Sequence, residues 1–133
     1  MRLIFGFLVV FVVALSSCSK TKIENKLLGD WKQISVGQAE VEGAKIVWTF
    51  ASDHNLYRTT TTETGVTIDT AQWSLKVRFA QKNTLTIENL DGGLHFDGTH
   101  LIHQLDDYLE MQRIEYTNGH SDGSFYWSEF EKQ

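Results

Sequence analysis

Proline is absent from the 133 residues, and cysteine occurs once, at Cys18. Without proline, every strand keeps a full set of backbone N–H donors for its neighbours. With one cysteine, no disulfide can form within the chain, so packing alone must hold the domain. Basic side chains are also scarce, 12 against 17 acidic ones, for a formal charge of -5. No basic cluster offsets that balance, so a phosphate backbone is repelled and nucleic acid is a poor partner. Helical periodicity is missing as well: no segment longer than about ten residues repeats its apolar positions at 3.6-residue spacing.

Catalytic patterns are equally thin. There is no G-x-S-x-G, and no glycine-rich phosphate loop opening a helix. Asp106 and Asp107 are adjacent. Neighbours on a strand point to opposite faces, and neighbours in a turn face water. Neither arrangement sets two carboxyls around a scissile bond. The expectation is a non-catalytic protein without a cofactor.

What is present begins at the first residues. Met1-Arg2 carries one positive charge, and Leu3 to Leu15 is free of charge and of strongly polar groups. That run suits a signal peptide, and it is short of the about 20 apolar residues that a membrane span needs. Leu15-Ser16-Ser17-Cys18 resembles the bacterial lipobox, in which an aliphatic and two small residues precede a cysteine that is acylated and becomes the first residue. Two or three acyl chains anchor firmly, since each buried CH₂ adds about 0.8 kcal/mol. The expected organisation is a signal peptide over 1–17, a lipidated cysteine and tether over 18–26, and one domain over 27–133. Removing 1–17 takes away only Arg2 among the charged residues and moves the formal charge from -5 to -6. Fully extended, Ser19 to Lys26 reaches about 27 Å at ~3.3 Å per residue, a tether that holds the domain near a bilayer. Ser19 stands where aspartate often retains enteric lipoproteins in the inner membrane, so the pattern resembles that of the outer membrane.

From Leu27 onward the chain reads as short strands and turns. Ile46, Trp48 and Phe50 alternate with Lys45, Val47 and Thr49. Four threonines at 59 to 62 favour strand, because β-branching restricts χ1. Trp73, Leu75, Val77 and Phe79 alternate with Lys76 and Arg78. Asp91-Gly92 and Asp97-Gly98 are hairpin signals, and Asp106-Asp107 marks another turn. The sum is an all-β fold, a single antiparallel up-and-down β-barrel of eight to nine short strands.

Leu28-Gly29-Asp30-Trp31 resembles the G-x-W signature that opens the first strand of lipocalins. The nearest likeness is to short lipocalin-like domains on lipoproteins of the Bacteroidota. Trp48-Thr49-Phe50, Trp73-Ser74-Leu75, Leu101 through Leu109 and Phe130 agree with it, so the resemblance covers most of Leu27 to Lys132. It implies that Gly29 and Trp31 close one end of the barrel, with an arginine from a late strand, Arg113, packed over the tryptophan by cation–π contact. It also implies a small apolar or amphipathic ligand. The loops are short, so a calyx should be small or shallow, and a filled interior stands beside it as the alternative.

Trp48, Phe50, Trp73, Phe96 and His103 are the candidate ligand-binding residues. A pocket for a small ligand is mostly apolar with a few polar groups. His95, His100 and His103 raise a metal question. A turn at Asp97-Gly98 sets His95 opposite His100 and places His103 on the other face with Leu101 and Leu105. At most two converge, short of what zinc needs, so no metal site is assigned. His95 and His100 read as a solvated surface pair, and His103 as an inward polar residue or a pocket group. The implied partners are a bilayer through Cys18, a small hydrophobic ligand and, in the alternative reading, an envelope protein.

Overall fold

A computed structural model of the chain describes residues 18–37, 39–78, 80–90, 96–116 and 121–133, with backbone alone over 121–125. Nine strands follow one short helix, α1, over 18–27. They are β1 (Gly29–Val36), β2 (Ala39–Glu40), β3 (Lys45–Phe50), β4 (Asn55–Thr62), β5 (Gly65–Lys76), β6 (Thr84–Glu88), β7 (Gly98–Leu105), β8 (Tyr108–Glu115) and β9 (Ser121–Lys132). Eight of them form a closed antiparallel meander, because β1 pairs with both β3 and β9. The two-residue β2 adds to the outer end of β1. This is the all-β barrel expected from the alternation. Closure removes the free edges of an open sheet, and eight strands leave an interior about one side chain deep from each wall.

Alternation decides what goes inside. On β8, Leu109, Met111 and Arg113 are buried, while Tyr108, Glu110, Gln112 and Ile114 lie at the outer face. On β1, Trp31 and Gln33 are buried and Lys32 and Ile34 are half-exposed. A slip by one residue would exchange the two sets, so the apolar pattern pins the register.

The strands define two ends. At the lower end lie the start of β1, the β3–β4 and β7–β8 turns and the chain end. At the upper end lie the β4–β5 turn and the segments leading from β1, β6 and β8. Helix α1 packs across the lower end. Its Ile23 and Leu27 are one helical turn apart; Leu27 is fully buried in the core and Ile23 packs against it. Here the structure differs from the extended tether. Residues 18–27 are helical and their last turn is part of the domain. An i, i+4 pair of apolar residues is too brief to register as a period, and tertiary contact stabilises the helix. Leu28 N–H bonds the Glu24 carbonyl, and Gly29 then takes φ +108°, which swings the chain from helix into strand.

Above α1 the core is aromatic. Trp31, Trp48, Phe50 and Phe130 are almost completely buried. Their rings meet edge to face, with Trp48 to Phe130 centroids at 5.2 Å and Phe50 to Trp73 at 5.7 Å. Trp31 Nε1 donates to the Leu27 carbonyl at 2.7 Å, which ties the helix end to the first strand.

Candidate functional site

The arginine expected over Trp31 is elsewhere. Lys132, from the end of β9, holds its ammonium 4.6 Å from the Trp31 ring centroid. Arg113 lies near the upper end of β8, where its guanidinium carbon is 4.4 Å from the Tyr116 ring and 5.1 Å from the Tyr126 ring. The reason is register. Trp31 pairs with Lys132, whereas Arg113 pairs with Tyr126, six residues earlier on β9 and towards the upper end. Gly29 and Trp31 lie at the lower end, at the start of β1.

The candidate ligand residues divide. Phe50 and Trp73 pack in the lower half with Leu56 and Ala71. Trp48 spans the middle, and its Nε1 donates to Gln33 Oε1 at 3.2 Å. Phe96 reaches in from the upper end, 4.9 Å from Trp48 and 6.0 Å from Tyr126 by ring centroids. His103 faces outward. It stacks on Trp127 at 4.3 Å, accepts from the Lys82 ammonium at Nδ1 (2.6 Å) and donates from Nε2 to Gln112 Oε1 (3.0 Å). It therefore belongs to the outer wall and not to an interior pocket. His100, expected at the surface, is the buried one at 1% exposure, and its Nε2 donates to the Phe96 carbonyl at 2.7 Å. Plain alternation along β7 decides it: His100 shares the inward parity of Gly98 and Ile102, and His103 the outward parity of Thr99 and Leu101. His95 lies outside the described residues. Among the described residues no group of three His, Cys, Asp or Glu is placed to hold a metal ion. Cys18 is exposed at the start of α1.

The interior changes character towards the upper end. Arg58 points inward from β4, opposite Trp48, and pairs with Asp69 of β5 through Nε (3.1 Å) and Nη2 (2.7 Å), both to Oδ2. Its guanidinium carbon lies 5.4 Å from the Phe96 ring. Gln33 and Ser128 are each 1% exposed. Gln33 Nε2 and Ser128 Oγ have no hydrogen-bond partner among the described residues. An unpaired buried polar group costs about 1–3 kcal/mol, so each calls for a physical account. Burial pushes the Tyr126 phenol above its ordinary pKa, and Arg113 and Arg58 both pull against that, so the two guanidiniums act on one hydroxyl. Gln33, Arg58 and Ser128 were not singled out from the sequence. The signal was there: each is a polar residue on the same parity as Trp31, Leu56 and Phe130, respectively.

A second concavity lies outside the barrel. A groove of about 490 Å³ runs between β1, β2 and the lower halves of β8 and β9, lined among others by Lys32, Glu40, Tyr108, Glu129 and Glu131. Ser35 Oγ donates to Glu129 in its wall. Burial first, then Glu129, Glu131 and Glu110, raise the Tyr108 phenol.

These features define a class, a closed antiparallel β-barrel with an aromatic lower core and a polar, arginine-bearing upper interior. The chain matches no protein-family model, and no curated protein or solved structure shows significant similarity to it.

Proposed function

We propose that the protein is a lipid-anchored, non-catalytic binding protein of a bacterial envelope, which takes a small amphipathic molecule at the upper end of its barrel. The observation that carries this reading is the pair of buried polar atoms, Gln33 Nε2 and Ser128 Oγ, that have no hydrogen-bond partner among the described residues and face the same interior as Trp48 and Phe130. Pockets for small ligands combine an apolar lining with a few convergent polar groups. The anchor in this reading is Cys18, acylated after cleavage of a signal over 1–17, and the membrane is the outer one, from Ser19. The resemblance of Leu28 to Trp31 to the lipocalin opening supports the barrel as a carrier.

Native mass spectrometry of the full chain, released from mild detergent after expression in an envelope-forming bacterium, tests the binding. A reproducible added mass that disappears on solvent extraction is expected. A bare mass, with no uptake from a lipid extract, removes the carrier reading. Metabolic labelling with a fatty-acid analogue, lost in Cys18→Ser, tests the anchor separately.

One observation favours a second reading, an interaction or inhibitor module with a filled core. The β4–β5 hairpin runs past the β6 pairing, and Val66 and Ile68 on it are 61% and 63% exposed. Large apolar side chains grouped on a projecting hairpin suit contact with another protein. A bare native mass would move the function to this surface.

A further inference from the structure

Two surfaces of the molecule compete for contact with a bilayer. One is the lower end, where α1 begins at the exposed Cys18. The other is the β4–β5 hairpin at the upper end, with its exposed Val66 and Ile68. The geometry of α1 decides between them, because its second half is fastened to the barrel. Leu27 is fully buried, and Ile23 packs against the core. The Glu24 carboxylate lies 3.6 Å from His54 Nε2 in the β3–β4 turn. The Lys26 carbonyl accepts from Lys132 at 2.7 Å. Cys18 stands five residues before Ile23. At ~1.5 Å per residue that is about 8 Å of helix, supported by the Lys20 to Glu24 pair at 3.7 Å. An extended segment from Ser19 to Lys26 would reach about 27 Å and let either end of the barrel meet lipid. The docked helix removes that slack.

The hairpin lies at the far end. From Asn55, beside the lower β3–β4 turn, β4 climbs seven residues to Thr62, about 23 Å along the strand at ~3.3 Å per residue. Barrel strands tilt by about 35–45°, which leaves about 16–19 Å of height. Lys20, Lys22 and Lys26 are exposed on α1, whereas the hairpin turn carries the exposed Glu63. Lipid phosphates attract the first set and repel the second. Asp106 and Asp107 also stand at the lower end, so charge assists only weakly and the short docked helix decides the orientation.

We infer that the lower end of the barrel is its membrane face, held against the lipid head groups by the docked α1, and that the upper end with its apolar hairpin is presented to the aqueous side. This rests on the anchor at Cys18 proposed above and deepens it. The acyl chains enter the hydrocarbon, so Cys18 itself lies at head-group level. The barrel floor follows within about 8 Å of helix. Val66 and Ile68 then stand too far from the bilayer to insert, and a partner that covers them arrives through water.

Fluorescence quenching tests this on the full chain, expressed in an envelope-forming bacterium and reconstituted in nanodiscs whose lipid head groups carry a nitroxide, a quencher of short range. The Cys18 sulfur carries the lipid, so one introduced cysteine takes the dye alone. Asp107→Cys places the dye on the β7–β8 turn and Glu63→Cys on the hairpin turn, both exposed. The dye at Asp107→Cys should lose most of its fluorescence, and the dye at Glu63→Cys almost none. Ten Gly and Ser residues inserted between Ser19 and Lys20 leave the docked residues in place and add about 17 Å of slack. The difference between the two positions should then shrink. Equal quenching at both positions without the insertion overturns the membrane face and leaves the anchor standing. Stronger quenching at Glu63→Cys overturns it and puts the hairpin in the bilayer. A full difference that survives the insertion overturns α1 as its cause. A chain with no acyl mass that stays out of the nanodiscs overturns the anchor and this inference together.

Discussion

Lys132 covers Trp31 at 4.6 Å and with the same ammonium closes the end of α1, donating to the Lys26 carbonyl at 2.7 Å and to the Leu28 carbonyl at 3.0 Å. One cation thus satisfies three needs. It lies on the negative face of an indole, it meets carbonyls left open where the helix ends, and it complements the helix dipole. The last strand is thereby fastened to the first turn of the domain.

Lys132→Met should therefore destabilise the protein by about 1–2 kcal/mol, the sum expected for a partly buried cation–π contact and a helix C-terminal cation. Urea unfolding followed by tryptophan fluorescence measures it. Arg113→Met should leave the Trp31 environment unchanged. A shift in Trp31 emission in that variant would contradict the assignment of Lys132 as the partner.

Helix α1 makes a sharp prediction about the domain boundary. Leu27 has no exposed surface and sits in the aromatic core. Leu27→Ala should cost about 2–5 kcal/mol, the range for deleting a buried leucine side chain. Lys22→Ala, on the exposed face of the same helix, should stay within about 0.5 kcal/mol. Equal, negligible effects at both positions would return 18–27 to the role of a tether.

Gly98 opens β7 at φ +132°, and a Cβ there would stand 2.2 Å from the Glu115 carbonyl oxygen. Backbone cannot yield as a flexible side chain would. Gly98→Ala should cost more than about 2 kcal/mol, from strain in a conformation that L residues rarely adopt and from the clash itself. Ser74→Ala, on the exposed face of β5, is the control. Chemical denaturation of the two variants separates the outcomes.

Alkaline pH should loosen the fold. Tyr126 and Tyr108 are both raised above the ordinary 10.0, chiefly by burial. The folded protein then holds these protons more tightly than the unfolded chain does. The stability this contributes is complete below about pH 10 and is lost as pH rises through the folded values. Phenolate absorbance should show two tyrosines titrating late, and Tyr126→Phe should remove one of them. The midpoint in urea should fall between pH 9 and pH 11, and fall less in that variant.

Much of this fold was legible in the residues. Ile46, Trp48 and Phe50 alternate with polar partners, and so do Leu109 and Met111, because one wall of a barrel faces packing and the other faces water. The turn at Asp106-Asp107 was equally plain, and there Tyr108 N–H bonds the Asp106 carboxylate at 2.8 Å. Less legible was α1, whose two apolar positions are too few to make a period. Trp48 and Phe96 meet in the interior; alternation had set His100 and His103 on opposite faces, and only the closed barrel decided that the face of His100 is the inside.

The sequence by itself determined the strand alternation, the meander that local turns impose, and the single cysteine after an apolar run. These are local properties, written in neighbouring residues and in the absence of proline. Only the tertiary structure decided which cation covers Trp31, and that Arg58, Arg113, Gln33 and Ser128 face one interior. Those residues lie on β4, β8, β1 and β9. Their placement relative to one another depends on the register across the whole closed ladder and on the bulges that shift it, and no stretch of neighbouring residues carries that sum.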